Sequence, residues 1–466
     1  MLQLLILGCI GLVAVLVTEA LVRRFELGAG LLLIALLLDT LFMEEMPGLD
    51  IGVWLYPKDV ISCLLLSAAV VRLLLWQDQL RRARWIGILL LAMFLLAFLR
   101  GLPLYSLKAV GNQTRGFFPF IAALVYFSSF KYDLRRQSRL ITIWLAGGVG
   151  LGILTFLRWI AANLGLSVAS QWESAVGEGS MRVLYCAHAF YLTAAFFFSL
   201  YLYFTNSGAA WQRRLFLVLG PLLLLLQHRT VWVAVLLGLL WLCARDIRFR
   251  TRLVVGMIAS LVVGALLTLL LFGSQTDRTQ RSLQRSASDT GTFTWRVEGW
   301  KALLAEKAPP ETLAIGQPFG AGFDRHVGGG ILSASAHNFY IETLVQFGIP
   351  GVLLLFGLYV WCIGRLGHAP SLALYPDYRL WQVFLVMQLS YSVTYSLNYD
   401  QALLLAIVVS VLSDSPNALL RTAGRARERG IEAAAIPGKP VPRFPEALRG
   451  LLPRPVERGL MNNRVF

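Results

Sequence analysis

Leu222-Leu223-Leu224-Leu225-Leu226-Gln227-His228-Arg229-Thr230-Val231-Trp232 is the stretch that decides how the chain is threaded. Drawn as a single helix, residues 214–244 would run about 46 Å at 1.5 Å per residue, well past a hydrocarbon core, with His228 and Arg229 stranded at mid-membrane. Such a helix would also reverse the sidedness of every later loop. A tight re-entry with Arg229 at its apex avoids both costs. The stretch therefore predicts two short spans, 214–227 and 230–244, meeting at the outer face.

The rest of the composition agrees with a membrane setting. Hydrophobic residues make up 57% of the 466 positions and mean hydropathy is +0.65, too apolar for a soluble domain. The net charge of +16 would suit nucleic acid only on a soluble basic face. Here the arginines fall in short loops between apolar spans, the pattern of cytoplasmic positive charge. Cys9, Cys63, Cys186, Cys243 and Cys362 all lie inside apolar spans and form neither a metal pattern nor a disulfide framework. The N-terminal apolar run has no charged residue before it and is long enough to cross, so it reads as a retained helix.

Apolar spans fall at about 2–22, 27–43, 60–76, 85–104, 116–130, 140–162, 183–204, 214–227, 230–244, 253–273, 349–365, 380–397 and 400–413. The expected architecture is all-α: a polytopic transmembrane helical bundle of about 12–13 spans with one large helical outer loop. Its parts are the N-terminal spans over 1–273, the outer loop over 274–348, C-terminal spans over 349–413 and a basic tail over 414–466. Arg23-Arg24, Arg81-Arg82-Arg84, Lys131 with Arg135, Arg136 and Arg139, Arg213-Arg214, and Arg245 with Arg248, Arg250 and Arg252 share one side, the cytoplasmic one. Glu44, Glu45, Asp50, Asp59, Glu173 and Glu178 lie opposite. The tail holds ten Lys/Arg against five Asp/Glu with many Pro and Ala, and reads as a disordered cytoplasmic segment able to touch anionic lipid.

Polar chemistry is concentrated in the outer loop. Its end reads Ser335-Ala336-His337-Asn338-Phe339-Tyr340-Ile341-Glu342-Thr343-Leu344-Val345-Gln346-Phe347-Gly348-Ile349-Pro350-Gly351, a helix running into a span, capped by serine and interrupted at Gly348 and Pro350. Thr294-Trp295-Arg296-Val297-Glu298-Gly299-Trp300 opens a second helix with Val297, Trp300 and Leu304 on one face. Glu342 follows His337 by five residues, about 140° around a helix, so the two are not paired. Arg100, Lys108 and Arg115 form an outward cationic segment that reads either as interfacial snorkelling or as a rim for an anionic substrate.

Arg229, Arg296 sixty-seven residues on, and His337 forty-one further, around a long outer loop, resemble the O-antigen ligase and polymerase superfamily of bacterial membrane glycosyltransferases. The resemblance is strongest over roughly 215–365. It includes the turn Gly316-Gln317-Pro318-Phe319-Gly320-Ala321-Gly322-Phe323 and the His337-Asn338 helix leading to Gly348-Ile349-Pro350-Gly351.

The resemblance implies a metal-independent, cofactor-free transferase in the bacterial inner membrane, with its catalytic loop periplasmic and its tail cytoplasmic. It would pass a glycan from an undecaprenyl diphosphate carrier to an acceptor hydroxyl. The site residues so implied are His337 as general base, with Arg296 and Arg229 neutralising the diphosphate; Arg115, Lys108 and Arg100 are the further candidates for binding anionic substrate. Guanidinium forks suit a diphosphate leaving group, and a histidine can take the hydroxyl proton. No Asp-x-Asp metal clamp occurs in the chain. His326 reads as a loop histidine rather than a catalyst.

The acceptor stays open: lipid A core for a ligase, the next lipid-linked repeat unit for a polymerase. Two other classes compete. A transporter or flippase of the same lipid-linked sugar calls for ionisable residues spread through the membrane and a repeated half; charges within the spans are few (Glu19, Asp39, Arg72, Arg158), and no repeat is visible. A non-catalytic assembly subunit would not need Arg229, Arg296 and His337 to converge. The threading itself is testable: reporter fusions at Ser286 and Ala435 should report opposite sides of the membrane, and same-side signals would overturn both the orientation and the outward placement of Arg229.

Overall fold

The computed structural model describes residues 2–42, 46–50, 52–75, 81–163, 183–226, 228–245, 256, 259, 262, 291–368 and 377–413. The span expected over 253–273 (save Gly256, Ala259 and Val262), the start of the outer loop to residue 290, the acidic residues Glu44, Glu45, Glu173 and Glu178, and the tail from 414 lie outside them.

The architecture is all-α. In chain order come α1 (Leu2–Arg23), α2 (Phe25–Phe42), α3 (Pro57–Leu75), α4 (Arg81–Gly101), α5 (Leu107–Thr114), α6 (Phe118–Ser128), α7 (Leu134–Asn163) and α8 (Cys186–Phe204). After them come α9 (Ala210–Arg214), α10 (Phe216–Leu225), α11 (Arg229–Arg245), α12 (Gly291–Lys307), α13 (Pro310–Ile315), α14 (Phe339–His368), α15 (Tyr378–Tyr391) and α16 (Tyr399–Ser413). Among the described residues, Phe25–Phe42, Leu134–Ala161, Cys186–Phe204 and Phe339–His368 are long and apolar enough to cross a membrane. Other expected spans are shorter, such as Phe118–Ser128 and Tyr399–Ser413, or carry charge, as Pro57–Leu75 does at Lys58, Asp59 and Arg72.

Helix α6 shows why a short apolar helix suffices at the centre. Pro119 to Ser128 are buried on every side, packed against α16 and α3. A helix apolar all round belongs in the interior. Helices nearer the perimeter keep large apolar side chains exposed, as at Leu96 and Leu99 of α4, Ile153 and Leu157 of α7, and Leu236 and Leu240 of α11. These are the faces that lipid would cover.

The break at Arg229 is present: α10 ends at Leu225 and α11 starts at Arg229. The span expected over 380–397 ends early, because α15 stops at Tyr391. Residues 392–398 turn before α16, and Asn398 with Gln401 caps that helix: Asn398 N–H donates to Gln401 Oε1 at 2.7 Å and Tyr399 N–H to Asn398 Oδ1 at 2.9 Å. Their apolar neighbours Val393 and Leu397 made the turn look like the end of a span.

The described part of the outer excursion, 291–338, is not purely helical. Between α13 and α14 it forms a hairpin of β1 (Arg325–Val327) and β2 (Gly330–Leu332), a strand pair whose turn is Gly328-Gly329. Both glycines have positive φ, as a two-residue hairpin turn requires.

The glycine-rich turn docks this excursion onto the bundle. Gln317 N–H donates to Val345 O (2.8 Å) and Phe319 N–H to Ala97 O (3.1 Å). Gln113 Nε2 donates to Gln346 Oε1 (2.7 Å), while Gln113 Oε1 accepts from Gly320 N–H (2.5 Å) and Gly322 N–H (3.1 Å). Phe319 is fully buried among Phe94, Phe117 and Phe347, each ring pair contributing about 0.5–1.5 kcal/mol beyond its area. On the opposite side of the excursion, Leu303, Ala336 and Val345 form a small core with Trp300, Phe323 and Ile341.

Gly316 is the tightest point of the dock. Its φ is +76°, and a Cβ there would overlap the Gln346 carbonyl. Gly316→Ala should therefore lose about 1–2 kcal/mol from the backbone conformation alone, with the overlap in addition. Limited proteolysis in detergent should show faster cleavage within 310–335 than in wild type, and unchanged cleavage would contradict the docking role.

Candidate active site

His337 does not lie on a helix. It sits two residues before α14 with φ +49°, in the left-handed region that side chains rarely adopt. The helix is capped by Asn338, whose Oδ1 accepts from Ile341 N–H at 3.1 Å, rather than by serine as expected. The break at Gly348 is present, with φ 67° inside α14.

This geometry corrects the separation of His337 from Glu342. Because His337 precedes the helix, the 140° argument does not govern it. Its backbone N–H donates to Glu342 Oε1 at 3.1 Å. Glu342 is 2% exposed, its other oxygen accepts from Ser396 Oγ, and Ser335 and the Ala336 backbone also hydrogen bond to it. The carboxylate thus gathers the turn that holds His337 in an otherwise costly conformation.

The segment 392–396, after α15, is where the other elements meet. Phe339 N–H donates to Ser392 O at 2.8 Å, and Tyr340 Oη donates to Leu389 O at 2.9 Å. Thr230, next to Arg229 at the start of α11, shares a 2.7 Å hydrogen bond with Thr394 Oγ1. Arg296 reaches Thr394 O and Tyr395 Oη at 3.4 Å each, with its guanidinium carbon 4.8 Å from the Tyr395 ring centre. The His337 ring meets Tyr395 edge-on at 6.2 Å. The helices that carry Arg229, Arg296 and His337, more than a hundred residues apart in sequence, are thereby brought to one turn.

Arg296 is incompletely satisfied. Its Nε is buried with no hydrogen-bond partner, and its two polar contacts are at the long limit. Such a guanidinium is short of acceptors. Burial, then the charges of Arg296 and Arg325, lower the His337 pKa from 6.5 to about 4. The imidazole is therefore neutral at pH 7.

Arg325 went unnoticed in the sequence. It is 2% exposed; Nη1 donates to Phe323 O (2.9 Å) and Ala334 O (2.7 Å), and Nη2 donates to Ser335 O (3.4 Å). Gly299 faces it, and a Cβ there would sit 3.2 Å from Arg325 Nε. Trp300 Nε1 donates to Ala336 O at 2.6 Å. Together these bonds hold the chain leading into His337.

The remaining cations are engaged elsewhere. Arg115 pairs with Asp59 at 2.9 Å, reaches Asn112 at 2.8 Å and lies over the Tyr56 ring. Arg100 donates to Ile315 O and Gly316 O at 3.2 Å, supporting the glycine-rich turn. Lys108 is exposed. His326 is exposed too and pairs with Glu306 at 3.2 Å, as a loop histidine would. Among the described residues, no group of three His, Cys, Asp or Glu is arranged to hold a metal ion.

Residues 214–356 match a family model described as O-antigen ligase. The chain carries an O-antigen ligase domain. That segment contains Arg229, Arg296 and His337 together, so the resemblance read from their order is borne out, and it makes the protein a membrane protein of the O-antigen ligase and polymerase type. No curated protein matches the chain. Convergence within the ligase domain can be tested directly. In a background lacking the five native cysteines, Thr230→Cys with Thr394→Cys should form a disulfide on mild oxidation, since the wild-type hydroxyls are 2.7 Å apart. Absence of the cross-link in folded protein would separate Arg229 from the turn.

Proposed function

We propose that this ligase domain transfers a glycan from a polyprenyl diphosphate carrier, undecaprenyl diphosphate in a bacterial inner membrane, to an acceptor hydroxyl at the periplasmic face. The observation that carries the reading is the under-satisfied Arg296 guanidinium beside a neutral His337. A buried guanidinium short of acceptors suits a diphosphate, and a neutral imidazole can take a proton. The starts of α11 and α14 lie at the same turn, and helix N-termini favour an anion there.

In this reading the acceptor oxygen bonds to the anomeric carbon as the bond from that carbon to the carrier diphosphate breaks. The electron pair leaves with the diphosphate, whose charge Arg296 and Arg229 neutralise. The hydroxyl proton passes to His337. Arg115 and Arg100 support the scaffold through their own bonds, and Lys108 is left as the one exposed cation of the three to attract the anionic headgroup. The acceptor is a saccharide, on lipid A core or on a lipid-linked repeat unit.

The test is glycan transfer by reconstituted protein, with carrier binding measured in parallel. Arg229→Lys and Arg296→Lys keep charge and lose the planar fork, and each should lower kcat/KM at least tenfold, the equivalent of one charge-assisted hydrogen bond. His337→Ala should lower kcat by about 10²–10⁴-fold while carrier binding persists. In wild type the acid limb of kcat/KM should fall near pH 4, because the free enzyme's His337 is depressed. The limb of kcat should lie higher, since bound diphosphate offsets the arginines that depress it. Wild-type transfer by His337→Ala, or loss of transfer only through lost carrier binding, would remove the general-base assignment.

A further inference from the structure

The general-base role asks one thing of His337 that its position alone does not provide: the neutral ring must carry its proton on the nitrogen that faces away from the acceptor. We propose that Ser335 and Glu342 set this, Glu342 accepting the Ser335 hydroxyl proton so that Ser335 Oγ in turn accepts from Nδ1–H of His337 and leaves Nε2 free as the base. This rests on the reading of the site as a glycan transferase.

The argument runs from the buried end. Glu342 offers only acceptors, and its carboxylate already gathers Ser396 Oγ, His337 N–H and Ala336 N–H. Ser335 hydrogen bonds to the same carboxylate, and a hydroxyl facing a carboxylate must donate. Having one proton, Ser335 Oγ can meet His337 Nδ1, 3.4 Å away, only as acceptor. Nδ1 must then be the protonated nitrogen. The distance is long for a hydrogen bond, as catalytic bonds often are before substrate arrives.

The other groups facing the ring do not compete for Nδ1. Arg296 on α12 and Arg325 on β1 are cations with donors only, and they disfavour protonation of the ring as a whole. Tyr395, after α15, meets the ring edge-on through its aromatic face. A carboxylate orienting a catalytic histidine is a familiar logic; the serine relay and the additional backbone bond are what this chain adds. Ser335 and Glu342 are positioning residues: neither is assigned a contact with substrate.

Two substitutions separate positioning from folding. Ser335→Ala removes the acceptor for Nδ1–H, and kcat should fall about tenfold with the donor KM unchanged, while Ser335→Thr restores it because the hydroxyl remains. Glu342→Gln keeps shape but can present an amide donor to Ser335 Oγ, turning the hydroxyl proton toward Nδ1 and favouring the wrong tautomer. Its kcat should fall further, toward the about 10⁴-fold seen where a histidine is held in the wrong tautomer, and raising the pH should not recover it.

A readout independent of turnover is ¹⁵N-histidine magnetic resonance on the full chain in lipid. The chain has five histidines, so the His337 signal is identified by its loss in His337→Ala. Wild type should show the Nδ1–H tautomer, and Glu342→Gln the Nε2–H form. An Nε2–H signal in wild type, or wild-type kcat in both Ser335→Ala and Glu342→Gln, would overturn the proposal. If instead His337→Ala itself transfers glycan normally while wild type shows Nδ1–H, the transferase reading fails and the hydrogen-bond relay stands as a structural feature.

Discussion

The buried Glu342 carboxylate is the interaction on which the site depends. Ionised or not, a carboxyl group taken out of water must be hydrogen-bonded, and here its partners come from two places: the strained turn before α14 and Ser396 in the segment between α15 and α16. One group therefore ties the outer excursion to the membrane helices. It also holds His337 in a left-handed backbone conformation that its own side chain disfavours. Strain of this kind persists only where surrounding bonds over-determine it.

The excursion is anchored twice, and the anchors differ in kind. The glycine-rich turn is held by backbone bonds to Ala97 and Val345 and by the Gln113–Gln346 pair, with Phe319 sunk into an aromatic cluster. The approach to His337 is instead held by side chains reaching carbonyls, from Arg325 and Trp300. The first fixes where the excursion sits, and the second fixes how His337 is presented. Arg100 and Arg115, which a charge pattern groups with the catalytic arginines, belong to the first kind of work.

Charge within the site is arranged for an anion. Arg296 is left short of acceptors, its aromatic neighbour Tyr395 supplies only a ring face and one hydroxyl, and two helices begin at the same turn. The same cations keep His337 neutral. An anionic ligand would relieve both conditions at once, which couples binding of the leaving group to the basicity of the residue that takes the proton.

Much of this was legible in the sequence because bilayer thickness and the cost of buried charge act locally. The spans, the break before Arg229 and the interruption at Gly348 follow from apolar run length and from Gly and Pro alone. The order Arg229, Arg296, His337 also marked the family. Other features were not legible. Thr394 and Tyr395 lie among Val393 and Leu397 and read as the end of a span; only the Asn398–Gln401 capping pair signalled that a new helix starts there. Arg325 looked like one polar loop residue among several, and its burial depends on Gly299 from another helix lying opposite it. The pairing of His337 with Glu342 depended on whether His337 lies on the helix or just before it, a difference of two residues that periodicity does not resolve. Hydropathy is a property of single segments, whereas a shared carboxylate or a turn that receives four elements exists only once those segments are packed, and that is the part the tertiary structure decided.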